Sequence, residues 1–334
     1  MRETRERVGI TSSVPVEVLF AAGARPVDLN NAFITSGRAR EIVEEAEAEG
    51  FPRNVCAWVK GIYEAARRDG GMKRIVAVTQ GDCTNVRALI ERWRAEGKRV
   101  IPFSYPYDRD REMLAAAIRK LRGEFGVSQG RAAAMKTRLD RIRRKLARVD
   151  RLAWRENKVT GTESHEWIIA GSDFRGDPDA FEKELDAFLA EAGARKPRGR
   201  ELRLGLIGIP PIWSDFFGYV EERGARVVYN ELARQFALLP ARRGMLEQYL
   251  RYTYPYDSGG RVREIRRAVR ERGLDGLIHN VQSFCFHQIE DVVLRARQGV
   301  PTVLVEGDKP GPLDARTRMR LDSFLGILRK VRRR

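Results

Sequence analysis

The sequence predicts an α/β fold built from two parallel-sheet domains with a helical insert between them. Three observations carry that reading. Short apolar runs rich in Val, Ile and Leu alternate with helix-length amphipathic stretches; the alternation gives way to a long basic stretch in mid-chain; and it resumes after a segment containing Gly, Pro and charge. Continuous short apolar runs between helices mark strands covered on both faces, as in a parallel sheet. A chain of 334 residues also exceeds the usual size of one domain, which leaves room for two such units.

Residues 15–22 read as helix, 26–29 as extended, 57–68 as helix and 74–78 as strand. A helix over 86–95 and a strand over 99–103 lead into Tyr105-Pro106-Tyr107-Asp108, closing a first domain at 1–108. Residues 109–155 are helical and basic, with Arg141, Arg143, Arg144, Lys145, Arg148 and Arg151 close together. Gly, Pro and charge replace apolar periodicity over 192–201, as in a linker, so 109–200 forms the insert and linker. The second domain, 201–334, offers strands at 202–208, 226–229, 274–280 and 302–305, with helices that include 261–272 and 289–297. Tyr105-Pro106-Tyr107-Asp108 recurs as Tyr254-Pro255-Tyr256-Asp257, and Cys83 and Cys285 both lie between a strand and a helix, two local echoes between the halves.

Lys and Arg number 63 against 46 Asp and Glu, a formal charge of +17 that favours anionic partners: nucleic acid, the phosphates of an acyl-CoA or an acidic protein. A solvated Arg-rich surface explains the same number. No stretch approaches the roughly 18 apolar residues of a membrane helix, and the first residues are polar rather than a secretory core. The expectation is a soluble, cytoplasmic protein with no membrane partner. An odd count of three cysteines in a long chain argues against a disulfide framework. Walker A, dinucleotide Gly fingerprint and Gly-x-Ser-x-Gly patterns do not occur, which removes the common nucleotide and hydrolase readings.

The cysteines carry the chemistry. Cys83, in Thr79-Gln80-Gly81-Asp82-Cys83, and Cys285, in Gln282-Ser283-Phe284-Cys285, each stand beyond the carboxyl end of an expected strand and before a helix, where ligand sites gather in parallel sheets. Cys56 follows Phe51-Pro52-Arg53-Asn54 at a helix start. Helix amino termini direct N–H groups and positive dipole ends at sulfur, so each thiol is expected to be acidified and suited to metal ligation. No two cysteines fall within four residues, unlike local zinc or ferredoxin motifs. Buried structural thiols, and zinc with His287 as a fourth ligand, both remain open on spacing alone. Thr11-Ser12-Ser13-Val14-Pro15-Val16-Glu17 reads as a capped helix start, and Glu306-Gly307-Asp308-Lys309-Pro310-Gly311-Pro312 as a rigid segment lining the crevice or a turn. His279 at a strand end and His165 in a polar loop are assigned structural roles.

Those residues carry a resemblance. Ile10-Thr11-Ser12 through Ala21-Ala22-Gly23, Gly50 through Trp58, Thr79 through Cys83 and Val281 through Arg316 together resemble the 2-hydroxyacyl-CoA dehydratase family, over nearly the whole chain. That family also includes benzoyl-CoA reductase subunits and double-cubane cluster proteins. The resemblance implies two flavodoxin/Rossmann-like domains with one 4Fe-4S cluster per chain in the crevice between them, on Cys56, Cys83 and Cys285. It implies a lyase that removes water from an acyl-CoA through a ketyl radical, after an ATP-hydrolysing iron-sulfur activator protein injects one electron. A homodimer, or a heterodimer with a paralogous subunit, is implied as well, with Ser12 and Glu17 as crevice-lining candidates for catalysis. A cluster-bearing reductase or electron-transfer component acting on another small molecule is the alternative. Dehydratases and benzoyl-CoA reductases usually pair two unlike subunits, often longer than this chain, and double-cubane members use more than three cysteines. Nucleic-acid binding through the basic insert and the Arg332 to Arg334 end leaves these motifs without a role.

Overall fold

Each buried apolar run becomes a strand because its side chains are covered on both faces. Arg74–Gln80 has four consecutive fully buried positions, and Gly276–Val281 is buried throughout. The computed structural model describes residues 5–199, 201–285 and 287–332. Arg200 of the expected linker and Arg333 and Arg334 of the basic end lie outside the described residues. In chain order the strands are β1 (Arg7–Ile10), β2 (Arg25–Asp28), β3 (Arg74–Gln80), β4 (Arg99–Ser104), β5 (Leu202–Gly208), β6 (Ala225–Asn230), β7 (Gly276–Val281) and β8 (Thr302–Glu306).

They form two four-stranded sheets, ordered β2-β1-β3-β4 and β6-β5-β7-β8, in which every pairing is parallel. The two orders are the same. Each reverses direction at its second pair, β1 and β3 in one sheet and β5 and β7 in the other, which opens a crevice at the carboxyl ends of those strands. Cys83 follows β3 and Cys285 follows β7, so these two cysteines occupy equivalent topological positions.

The Tyr-Pro-Tyr-Asp echo has no such equivalence: Tyr105 follows β4, whereas Tyr254 precedes helix Ser258–Arg272 between β6 and β7. The two segments instead pack together. The Tyr105 ring meets Tyr252 and Tyr256 edge-on, at 5.6 and 5.8 Å. Gly81, at φ +93°, lets the β3 loop approach Pro255 so closely that a Cβ there would fall 2.7 Å from the Pro255 Cβ.

The basic stretch 109–155 forms two helices, Arg111–Glu124 and Gln129–Trp154, separated at Gly126 with φ +60°. Ser128 caps the second. Its buried face, with Leu139, Ile142, Leu146 and Val149 at helical spacing, packs on helices Val16–Ala21, Gly161–Ile169 and Pro178–Ala194. One core therefore runs from Val8 to Tyr256, through the first sheet, the insert and the segment after β6. Much of the insert's positive charge is locally neutralised: Arg141 and Lys145 pair with Glu182, Arg148 with Glu156, and Arg143 turns inward. His165 lies within helix Gly161–Ile169 rather than a loop, bonded through Nδ1 to Asn230 and packed on Phe217. Among the described residues no helix is long and apolar enough to cross a membrane.

Candidate metal centre

Cys56 is the N-cap residue of helix Ala57–Arg68, and its thiol donates to Gln282 Oε1 at 2.6 Å. The Ala57 N–H donates to the same oxygen at 2.9 Å. Gln282 lies directly beyond β7, so this fully buried amide ties a helix of the first half to the second sheet. Cys83 stands two residues before helix Asn85–Ala95, and Cys285 two residues before helix His287–Arg295. The Cys285 loop is anchored by Ser283, whose N–H and hydroxyl donate to Asp308 at 2.7 and 2.6 Å. Asp308 belongs to the Glu306–Pro312 segment, which thereby helps to position the loop.

All three thiols line one cavity of about 200 Å3. Its walls come from the ends of four central strands: Thr11 after β1, Asp82 after β3, Ile209 and Pro210 after β5, and the Cys285 loop after β7. Trp58, Val59, Leu232 and Phe236 give it an apolar lining. Among the described residues no three His, Cys, Asp or Glu side chains converge tightly enough for one metal ion, so a mononuclear zinc site on the thiols and His287 is not assembled. A polynuclear cluster asks for a different arrangement, with each thiolate on a separate iron around a shared cage. The donor set fits such a group: three thiols facing one cavity, and the indole N–H of Trp58, buried without a hydrogen-bond partner, as a donor suited to an anionic cage. Cys56 would also face a second cavity of about 370 Å3, lined by Arg53, Lys60 and Lys309.

The thiols are not acidified, contrary to the expectation from helix termini. Burial pushes Cys56 up to about 12 and Cys83 up to about 11, and it raises Cys285 as well. The helix-start N–H groups do act in the expected direction, from Val59 and Trp58 on Cys56 and from Asn85 and Val86 on Cys83, but desolvation outweighs them. Cys285 also raises both other thiols, and Cys83 raises Cys56, which places them within electrostatic reach. Without a bound cation the site holds neutral thiols.

The model of the family described as 2-hydroxyglutaryl-CoA dehydratase, D-component, matches residues 11–328. The chain belongs to this D-component family. No curated protein matches it.

The family motif 11–17 contributes to the site at unequal depth. Thr11 lines the cysteine cavity. Ser12 is buried behind it, beside Asp82, whose carboxyl burial pushes up to about 6 against hydrogen bonds from the Cys83 backbone and Ser12 and the charge of His287. Glu17 points away from the cavity and is fully enclosed by Arg143 and Tyr249. The fold also brings in two residues without an assigned role above: Asp82, and Tyr254, whose hydroxyl stands 3.1 Å from His287 Nε2. Asp82 adjoins Cys83 and Tyr254 lies in the echo, so both had a local signal. Their direction into the cavity did not.

The cysteine cavity meets a larger one of about 520 Å3, with Asn30, Trp58, Pro210 and Phe236 lining both. Asp28 and Asp173 line the larger cavity, both buried, with the Asp28 N–H donating to Asp173 Oδ2 at 2.8 Å. Burial and the neighbouring Asp28 push Asp173 up to about 7, and burial raises Asp28 too. A raised carboxyl binds a proton in the folded state that the unfolded chain releases. Its stabilising share is complete below the ordinary carboxylate range and is lost as pH rises toward about 7. Asp173→Asn, which keeps an acceptor for the Asp28 N–H, is therefore expected to gain stability on the parent by about 1 kcal/mol or more between about pH 5 and pH 8. Urea midpoints of both proteins across that range measure it, and parallel curves would show that the pair does not titrate there.

Proposed function

We propose that the chain is the cluster-bearing subunit of a 2-hydroxyacyl-CoA dehydratase-like lyase, holding one 4Fe-4S cluster on Cys56, Cys83 and Cys285. The observation that supports it is the convergence of all three cysteines, from segments up to 229 positions apart, on one cavity at the carboxyl ends of both sheets. Held by Cys56, Cys83 and Cys285, such a cluster would supply a single electron that is recovered at the end of each turnover and a Lewis-acidic iron, for an elimination that removes the 2-hydroxyl group and one β-proton as water with no net redox change.

The chain's own residues do the rest. Gln282 fixes the Cys56 thiol relative to the second sheet, and Ser283 with Asp308 fixes the Cys285 loop. Trp58, Val59, Leu232 and Phe236 exclude water from the reacting centre. Asp82 and Tyr254 border the cavity as carboxyl and hydroxyl groups, respectively, able to hold a proton there. Ser12 supports Asp82 from behind; Glu17 supports the helix that follows the 11–14 loop. The partners in this reading are an acyl-CoA, an ATP-hydrolysing iron-sulfur activator, and a second copy or a paralogous subunit, in the cytoplasm.

Anaerobically purified protein is expected to contain about four iron and four acid-labile sulfide per chain and, with activator, ATP and the paired subunit, to convert a 2-hydroxyacyl-CoA to its enoyl-CoA. Cluster without acyl-CoA turnover would favour a reductase or electron-transfer role. Folded protein that stays iron-free after anaerobic reconstitution would sink both.

A further inference from the structure

A further cavity, of about 570 Å3, lies apart from the one with the cysteines and shares no lining residue with it. It lies between helices Arg111–Glu124 and Gln129–Trp154 and the start of helix Met245–Arg251. Six cationic side chains line it, Arg111, Arg119, Arg122, Lys136, Arg144 and Arg243, against two carboxylates. Both carboxylates are already engaged: Glu247 pairs with Arg111, and Asp140 with Lys136 and Arg143. Among the described residues, Arg119, Arg122, Arg144 and Arg243 make no ion pair or side-chain hydrogen bond. This contrasts with Arg141, Lys145 and Arg148 on the same long helix, each matched by a glutamate.

Four unmatched guanidinium groups around one concavity repel one another, and an anion between them offsets that cost. Guanidinium forks match phosphate oxygens two at a time. The floor is apolar, with Ile118, Ala132, Met245 and Leu246, which suits a flat aromatic group rather than a bare ion. The volume falls within the range of sites that enclose a ligand of nucleotide size.

We propose that this cavity binds a nucleoside phosphate, its base on the apolar floor and its phosphates among Arg119, Arg122, Arg144 and Arg243. Two sources share this chemistry: a free nucleotide, and the phosphoadenosine end of a CoA thioester. The site is separate from the cysteine cavity, so the inference stands whether or not the chain carries a cluster.

The test is calorimetric titration of the full chain with ADP, with CoA and with inorganic phosphate, in low and moderate salt, alongside Arg122→Gln/Arg243→Gln. Both positions lie at the surface of the cavity, and far-UV circular dichroism checks that the variant folds; Arg119→Gln/Arg144→Gln serves as a second variant. ADP or CoA is expected to bind more tightly than phosphate, more weakly as salt rises, and at least about tenfold more weakly in the double variants. CoA binding well above ADP assigns the CoA source, and the reverse assigns a free nucleotide. Three outcomes overturn the proposal: no binding of either nucleotide, binding unchanged in both variants, or an oligonucleotide that outcompetes ADP and marks an extended polyanion surface.

Discussion

Cys56→Ala, Cys83→Ala and Cys285→Ala are each expected to lose the whole of the proposed cluster, with iron and sulfide falling from about four per chain to background. No partial loss is expected. The chain has no fourth cysteine to substitute, and among the described residues no alternative cluster of His, Cys, Asp and Glu is preformed for a metal ion. The three thiols arrive from a helix cap and two strand-end loops, so none can slide into another's place. Burial keeps them neutral in the metal-free protein, and assembly must drive off each proton; two remaining thiols have less metal–sulfur bonding with which to do so. The fold should survive. Cys56→Ala removes one hydrogen bond to Gln282, which still accepts from Ala57, a loss of about 1 kcal/mol. Iron analysis and electron paramagnetic resonance on anaerobic protein, with circular dichroism as the control for folding, decide the matter. A folded variant that retained its iron would remove that cysteine from the ligand set.

The second large effect is on stability. Glu17→Gln is expected to cost about 3–5 kcal/mol, although residue 17 touches neither the cysteines nor their cavity. Glu17 and Arg143 are both essentially inaccessible, 2.7 Å apart, and the Tyr249 hydroxyl lies 2.8 Å from the other carboxylate oxygen. Burial alone would raise the Glu17 carboxyl, but the Arg143 charge and hydrogen bond outweigh it and hold the group below its ordinary value. Gln at 17 leaves the Arg143 charge enclosed with Asp140, at 3.1 Å, as its one counter-ion among the described residues. Removing both charges in Glu17→Leu/Arg143→Met should recover most of the loss, since a packed apolar pair of similar volume no longer has a charge to desolvate. Denaturant midpoints of Glu17→Gln and of the Glu17→Leu, Arg143→Met and double variants test this, and near-additive effects of the two single changes would contradict it. The same variants settle the role of residue 17 in turnover. Unchanged turnover of folded Glu17→Gln, or of Ser12→Ala, would show that the residue holds the crevice in shape and takes no part in the chemistry.

Most strands were legible because a buried parallel strand leaves a compact apolar run. β3, β5, β7 and β8 fall within a residue or two of the runs that announced them. β1 was not legible: Arg-Val-Gly-Ile is too short to show a pattern, and its identity depends on β2 and β3 flanking it. The helices Leu29–Ile34 and Ala39–Ala48 were missed for a related reason. The first is a single short turn-and-a-half started by the Asp28 cap, and the second is so rich in Glu that only Ile42, Val43 and Ala46 mark its inner face. The break at Gly126 divided what read as one helical stretch, because a single left-handed glycine interrupts a pattern that continues on both sides.

For the candidate site, residue order was enough to find the three cysteines, to place each at a helix start and to put two of them beyond strand ends, since these are local relations. The alternation of strands and helices was local too. The order of strands in each sheet, the facing of the two crevices and the meeting of residues 56, 83 and 285 are properties of the assembled fold. So is the electrostatics. A helix amino terminus can be read from a few neighbours and argues for acidic thiols, but burial is set by everything packed around them, and here it prevails. Glu17 teaches the same lesson, for its partner lies 126 positions away on a helix whose basic residues looked solvated. Short-range periodicity and capping act within about a turn or a strand, whereas desolvation and ion pairing depend on distances in space, which only chain folding creates.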